Sequence, residues 1–512
     1  MAISASRSLQ PDVHASPAAA PSIPAMLSRP TASPLALALL ALLLAALMAA
    51  PAAWARPAAR PTARTAGRAP TVTSALTGLK SKAAITEAAY TQYTTAYAAA
   101  QRSLKRLTGT RHEELASVLA NTQAMAASGA FAPSRLPAIF LTLERNRQWW
   151  TTEPLLGADQ RITFPPSLMV WEHYPGQGLQ IQWLATFGKA NGYYLAGNEN
   201  ESLRQLLTEV IPLATQRAGG IAWEYMFHFD GGSPPWTSGL SQGTALQVLA
   251  RAWSRFKEPQ YLTAAQQALH LYEIPPPNGV RVGTPAGAEY AEYTYAPSDR
   301  ILNGFIQALV GIYDYTSITK DPTGLQLFEA GDAEARAEVP HYDTGAWSRY
   351  DQFGESNLNY HELLTEFLQH LCERTKKGLP IRQANAPIAA DQIYCTTAQH
   401  FTAYLHTPPV VSVLTTTLPA SARGGVQVSL SKISTVRITI RKGSTTVWTN
   451  SALVEAGKPR ILWLTPAKPG AYSVAVTATD LAGNFSTAAA TIAVTAPKSS
   501  KPEARPQSPK PR

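Results

Sequence analysis

Tyrosines and carboxylates crowd into four short segments of this 512-residue chain: Glu289-Tyr290-Ala291-Glu292-Tyr293-Thr294-Tyr295, His341-Tyr342-Asp343-Thr344-Gly345, Trp347-Ser348-Arg349-Tyr350-Asp351 and Asn359-Tyr360-His361-Glu362. Such side chains move protons, and aromatic rings also stack on sugars, so residue types alone leave acid/base catalysis and glycan binding both open. A neutral tyrosine, with a reference pKa of about 10, is a proton donor as it stands; to act as a base it needs cations or hydrogen bonds that stabilise the phenolate. Other chemistries lack their residues. Gly239-Leu240-Ser241-Gln242-Gly243 matches G-x-S-x-G, but a nucleophile elbow needs a strand before the serine, and Gly231-Gly232-Ser233-Pro234-Pro235-Trp236 upstream reads as a loop. The ten histidines form no H-E-x-x-H pair and no zinc spacing with cysteine, and glycine-rich phosphate fingerprints are missing. Neither a metal nor a nucleotide cofactor is expected.

These segments need a scaffold, and the pattern around them is helical. Residues 75–132 are Ala-rich with apolar positions at helical spacing, a helical lead-in. From 133 to 407, helices such as ESLRQLLTEVIPLATQRA, GTALQVLARAWSRF, RILNGFIQALVGIYDY and HELLTEFLQHLCERT alternate with aromatic and Gly/Pro loops. Paired helices with long loops predict a mainly α fold, an α/α toroid or an incomplete barrel whose open end is a loop-lined cleft. At residue 408 the period changes to two (VQVSLS, TVRITIRKG, AYSVAVTATD), which predicts a β-sandwich of immunoglobulin type over 408–496, a spacer or a glycan binder. Residues 497–512 read as a disordered basic tail.

Composition narrows the setting. Charged residues make up 15% of the chain, against about 25% for an average domain. The 40 prolines, 32 glycines, 20 tyrosines and 11 tryptophans suit a secreted carbohydrate-active protein. The net charge of +10 sits mostly in two tails, through Arg56, Arg60, Arg64 and Arg68 in the Pro-rich spacer 56–74 and through Lys498, Lys501, Arg505, Lys510 and Arg512. The near-neutral remainder gives no nucleic-acid groove, while the tails suit association with an anionic envelope. Leu35–Ala50 is an apolar run followed by Ala53-Trp54-Ala55, so residues 1–55 read as a signal peptide cleaved after Ala55; an uncleaved anchor is the alternative, although the run is short for a span. In an oxidising compartment Cys372 and Cys395 form a disulfide or remain two buried thiols.

The order of the motifs adds a resemblance. Trp236-Thr-Ser-Gly-Leu-Ser-Gln242-Gly243 precedes ALQVLARAW, and Glu292-Tyr293 lies nine residues before Leu302-Asn303-Gly304-Phe305; then come GIYDY, Tyr342-Asp343-Thr344-Gly345 eight residues before Tyr350-Asp351, and Tyr360-His361. Over roughly residues 220 to 405 this succession resembles the C-terminal catalytic region of the D-glucuronyl C5-epimerase family. The resemblance implies an isomerase that converts D-glucuronate to L-iduronate within an acidic polysaccharide of the heparosan type, without a redox cofactor. It implies functional tyrosines at Tyr293, Tyr350 and Tyr360, with Glu292 as the carboxylate beside the first, and Trp236, Gln242 and Asn303 on the substrate side. Ser241 stands where the family usually has alanine. The chain departs from the pattern at Gln352, where arginine commonly follows, and at Leu358-Asn359, where Trp-Asp is usual. Arg349, Arg300 and His361 are the candidate replacements for a carboxylate-binding cation, each with a plain alternative as a solvated or capping residue.

Chemistry and resemblance agree on one step. The C5 hydrogen of a uronate lies α to the carboxylate, so its removal puts charge on that carboxylate, and inversion needs one proton-transfer group on each face of the ring. Two of Tyr293, Tyr350 and Tyr360 are therefore expected as the acid and base, the third as an orienting group. A polysaccharide lyase begins with the same abstraction and then expels the C4 oxygen; a non-catalytic glycan-binding protein is the rival outside enzymes.

Overall fold

A computed structural model describes residues 69–217, 219–379 and 392–496. The expected signal peptide, most of the basic spacer and the basic tail lie outside the described residues. The described residues open with four helices, α1 (Val72–Ser81), α2 (Glu87–Leu104), α3 (Gly109–Ala127) and α4 (Leu136–Thr152), which pack on one another. Threonines start the first two: the Thr71 and Thr86 hydroxyls accept from the backbone N–H groups of Ser74 and Ala89.

A small antiparallel sheet follows, β1 (Arg161–Ile162), β2 (Trp171–Tyr174) and β3 (Gly178–Ile181). The sequence pattern does not announce it, because every residue of β2 and β3 is buried and a strand covered on both faces shows no alternation. It is pressed onto α3 and α4. At Gly178, with φ of +75°, a Cβ would stand 2.5 Å from Asn146 and from Val118.

Eight further helices build the scaffold in pairs: α5 (Trp183–Ala196) with α6 (Asn200–Val210), α7 (Gly239–Phe256) with α8 (Pro259–Leu269), α9 (Leu302–Thr319) with α10 (Pro322–Glu338), and α11 (Leu358–Lys377) with α12 (Gln392–Tyr404). The first members α5, α7, α9 and α11 pack side by side as an inner row, and each carries its partner outside it. Inner helices α7 and α9 are buried almost all round, because each packs against neighbours on more than one side. Their closest approach is at Gly243 and Gly311: a Cβ on Gly311 would fall 2.2 Å from the Gly243 carbonyl. Two short hairpins, β4 (Thr215–Arg217) with β5 (Gly220–Ala222) and β6 (Arg281–Gly283) with β7 (Ala288–Tyr290), lie in the connections. Cys372 of α11 and Cys395 of α12 are joined in a disulfide with Cα atoms 5.0 Å apart.

From residue 411 the chain is all strand: β8 (Val411–Val413), β9 (Thr417–Pro419), β10 (Arg423–Leu430), β11 (Ser434–Lys442), β12 (Thr445–Val454), β13 (Arg460–Leu464), β14 (Gly470–Asp480) and β15 (Phe485–Thr495). They form two sheets, in the orders β13-β10-β8 and β12-β11-β14-β15-β9. Alternate residues of both, among them Val426, Val428, Ile438, Trp463 and Val474, meet in one apolar core, which is separate from the core running from Val72 to Phe401 through all the helices. The lead-in helices thus belong to the body that carries the tyrosines.

Candidate active site

The segment 291–294 crosses the start of α7 as an irregular strand. Ser238 and Tyr293 form a β-bridge, the Gly239 N–H donates to the carbonyls of Ala291 and Glu292 at 3.2 and 3.1 Å, and the Thr294 N–H donates to the Thr237 carbonyl. This delivers Glu292 and Tyr293 to the N-terminal end of α9. There the Glu292 carboxylate lies against Gly304, where a Cβ would stand 2.3 Å from Oε2. The glycine of Leu302-Asn303-Gly304-Phe305 is needed to admit the acid.

Tyr350 sits near the tip of a hairpin between α10 and α11. Its N–H donates to the Gly354 carbonyl, and the Asp351 carboxylate closes the tip by accepting from the N–H groups of Phe353 and Gly354 at 2.7 and 2.8 Å. Tyr360 lies in the first turn of α11, where the N-cap Asn357 side chain accepts its N–H at 2.9 Å. The two rings meet with centroids 4.6 Å apart. Tyr293 stacks on Tyr295 at 5.3 Å, and both present edges to Trp236.

Burial governs the electrostatics. It drives Tyr293, Tyr350 and Tyr360 all above the ordinary tyrosine value, and the Glu292 charge pushes each further the same way. A hydrogen bond between Tyr350 and Tyr360 holds Tyr350 higher and Tyr360 lower. Glu292 itself is pushed up to about 7 by burial, with hydrogen bonding from Tyr293 pulling the other way. The cation-stabilised phenolate expected from sequence is thus opposed by the setting, while a carboxyl that titrates near neutrality lies among three neutral tyrosines. Several groups here are buried without a partner: Glu292 Oε2, the Tyr295 hydroxyl, and both amide atoms of Asn303. Buried polar atoms are normally satisfied, so this cluster has unmet hydrogen-bonding capacity for a ligand.

Residues 217–384 match the family described as D-glucuronyl C5-epimerase C-terminus. The matched region contains Glu292 and all three tyrosines. Over 131 residues the chain is 33% identical to D-glucuronyl C5-epimerase of Caenorhabditis elegans, covering 23% of this chain and 21% of the worm protein. Over 165 residues it is 30% identical to an uncharacterized protein of Methanocaldococcus jannaschii, covering 31% of this chain and 53% of that protein. The chain thus spans a fifth to a half of the relatives it matches. Among solved structures, a GH76 alpha-mannanase of Bacteroides thetaiotaomicron aligns with TM-score 0.34 and 12% identity over 48% of this chain and 66% of the other. An unsaturated glucuronyl hydrolase of Bacillus aligns with TM-score 0.30 and 14% identity over 44% and 60%.

Within the matched region the other expected site residues separate. Asn303 stays with Glu292, in the first turn of α9. Trp236 is buried behind the tyrosines, its indole N–H donating to the Phe227 carbonyl and its ring stacked on Tyr225 at 4.3 Å, a support for Tyr293 and not an open sugar platform. Gln242 spends its amide N–H groups on the carbonyls of Ile221 and Ala268, so it ties α7 to its neighbours. His361 is stacked on Trp347 at 3.7 Å, accepts from the Ser348 N–H at Nδ1 and donates from Nε2 to the Phe401 carbonyl; burial lowers its pKa to about 4, so it offers a uronate no positive charge. Arg349 faces Glu355, whose carboxyl is raised by burial against the opposing pull of two backbone N–H groups and the Arg349 charge. Arg300 is held by Glu289, Glu334 and Glu338 at 2.6 to 2.8 Å. One group from outside the matched region does register at the tyrosines: Glu172 of β2, ion-paired with Arg161 of β1, raises Tyr360.

Tyr295 is the residue that sequence reasoning passed over. The signal was present, since Tyr293 and Tyr295 are two apart in an extended segment and so share a side. Ser241 is buried in the first turn of α7, its hydroxyl donating to the Ser238 carbonyl at 3.3 Å, with a loop before it, so the elbow reading has no support. A cavity of about 650 Å³ lies toward the C-terminal ends of the inner helices, where Asp314 pairs with both Arg251 and Arg374; none of the three tyrosines lines it. Geometry and unmet hydrogen bonds, not cavity size, identify the site.

Because Tyr293 alone opposes the upward push on Glu292, Tyr293→Phe is expected to move the Glu292 titration to higher pH. The pH profile of turnover, or carboxyl NMR of Glu292, reads the shift; an unmoved profile would show that the hydroxyl does not contact the acid.

Proposed function

We propose that this chain is a uronate C5-epimerase-like enzyme, exported from the cell or held at its envelope, that inverts C5 of D-glucuronate residues in an acidic polysaccharide. One observation carries the reading: a carboxyl with an unpartnered oxygen, titrating near 7, buried among three neutral tyrosines inside the region that matches the epimerase family. Ionised Glu292 takes the C5 proton from one face of the ring. The charge that moves onto the substrate carboxylate is met by the Asn303 amide and the tyrosine hydroxyls. A neutral tyrosine then delivers its O–H proton to C5 from the opposite face, leaving a phenolate beside a protonated Glu292; exchange with solvent restores both. Burial keeps the tyrosines neutral and able to donate, and it penalises the Glu292 charge, so that the carboxylate, once ionised, is a stronger base than an exposed one.

The paired helical rows fit an incomplete α/α toroid, and the two-sheet unit fits an immunoglobulin-type sandwich. The disulfide and the apolar N-terminal run support export. The test is NMR of uronate-containing polysaccharides, heparosan first, incubated with the mature protein in deuterated water. Deuterium at C5 with new iduronate signals is the expected result. Ultraviolet absorbance from an unsaturated uronate would make the enzyme a lyase, and no incorporation over a broad glycan panel with retained binding would make it a binding protein.

A further inference from the structure

The two-sheet unit at residues 411–495 touches the helical body at the end of α12 and at the hairpin that carries Tyr350. Glu355 lies on that hairpin, bridged to Arg349 across it. Its Oε2 accepts the N–H of Ile433 at 2.8 Å and of Ala456 at 3.3 Å, two turn residues of the β unit. One residue before Ile433, Lys432 is buried to 1% exposure. Its ammonium pairs with Asp480 at 2.6 Å, donates to the Tyr404 and Thr407 carbonyls, and stands 5.2 Å over the Trp347 ring. Trp347 in turn donates from its indole to the Ser356 carbonyl at 2.8 Å and stacks on His361, the neighbour of Tyr360. Both sides of the hairpin are therefore fastened to the β unit, and both fastenings lead to a site tyrosine within a few residues.

We propose that the β unit is a working part of the epimerase site, and that Glu355 is a positioning residue that fixes the Tyr350 hairpin against it. This rests on the C5-epimerase reading for its catalytic consequence and on the hydrogen bonds alone for its structural one. The physical case is leverage. The hairpin spans residues 342–357 between α10 and α11; at its tip Gln352 accepts the Arg300 N–H at 3.0 Å and donates to the Ser298 carbonyl at 2.9 Å, and the Leu302 N–H reaches the Tyr350 carbonyl at 3.4 Å. Those ties hold the tip to the segment before α9, while the strand that returns from the tip to α11 carries Glu355, whose carboxylate accepts two N–H groups of another folded unit and fixes that side as well. Proton transfer is sensitive to displacements of about 1 Å, so a loosened hairpin costs turnover without removing any group that touches the substrate.

The test uses the full chain. Glu355→Ala is expected to lower kcat by about 10-fold or more with KM within about 2-fold, and to speed amide hydrogen exchange in peptides covering 347–356 while α9 peptides keep their protection. Glu355→Gln retains an oxygen that can accept the Ile433 N–H and is expected to recover most of both. Unchanged hairpin exchange in Glu355→Ala would overturn the proposal whatever the activity. Faster exchange with wild-type kcat would overturn the positioning role. If the wild-type protein shows no C5 exchange on any glycan, the epimerase reading fails, and the exchange measurement still decides whether the β unit holds the hairpin.

Discussion

Glu292→Gln is expected to reduce C5 proton exchange by at least about 10²-fold and, above neutral pH, to make the protein more stable. Both effects come from one property. Burial raises the Glu292 carboxyl from its ordinary 4.5 to about 7. Between those values the native state keeps a proton that the unfolded chain releases, so stability falls as pH rises through the window, and the full cost of burying the charge is carried above about 7. The cost is on the order of 3 kcal/mol. Glutamine has no proton to lose: its stability difference from wild type should be near zero at pH 4, grow between 4.5 and 7, and level off above. Activity runs with the opposite sign, since a base works only when ionised; wild-type turnover should climb with pH through about 7, and residual turnover of the variant should lack that limb. Thermal melts and exchange rates from pH 4 to 9 check both. A variant that loses activity and stability together would mean that Glu292 is a packing residue.

How far the sequence reached follows from the same physics. The helix pairs of 183–404 were legible wherever one face meets water, as in α11 with its period of apolar positions, and the strands of 423–495 because half of each faces solvent. The β1–β3 sheet was not, because burial on both faces erases alternation. Among the site residues, tyrosine type and order located the cluster, but the balance of forces on each group is set by elements distant in sequence. Glu292 became a near-neutral acid only because Gly304 admits it to a closed space at the end of α9. His361 and Arg349 looked like free cations until Trp347, Phe401 and Glu355 folded against them. Trp236 and Gln242 carry the family's pattern because they hold the site in shape, and a motif cannot distinguish holding from touching.

The second large effect concerns the tyrosine pair. Tyr360→Phe is expected to stop inversion, by about 10²-fold or more, yet to leave one-sided chemistry intact. Of the two hydroxyls Tyr360 is the easier to ionise, because its bond with Tyr350 stabilises the Tyr360 phenolate at the expense of Tyr350. On the proposed epimerase reading, the proton for the second face is expected to leave from Tyr360, with Tyr350 bonded to the oxygen that becomes charged. Deleting the Tyr360 hydroxyl leaves Glu292 able to remove the C5 proton and return one to the same face. The starting epimer should then take up deuterium from solvent while almost no new epimer forms, a signature that general damage to the site cannot produce. Tyr350→Phe removes one hydrogen bond to a developing charge, about 1.5–3 kcal/mol, so inversion should slow roughly 10- to 100-fold while wash-in on the Glu292 face persists. The expected order of inversion defects is Tyr360→Phe over Tyr350→Phe. The reverse order would exchange the two roles; equal loss of wash-in and inversion in both variants would place neither tyrosine opposite Glu292.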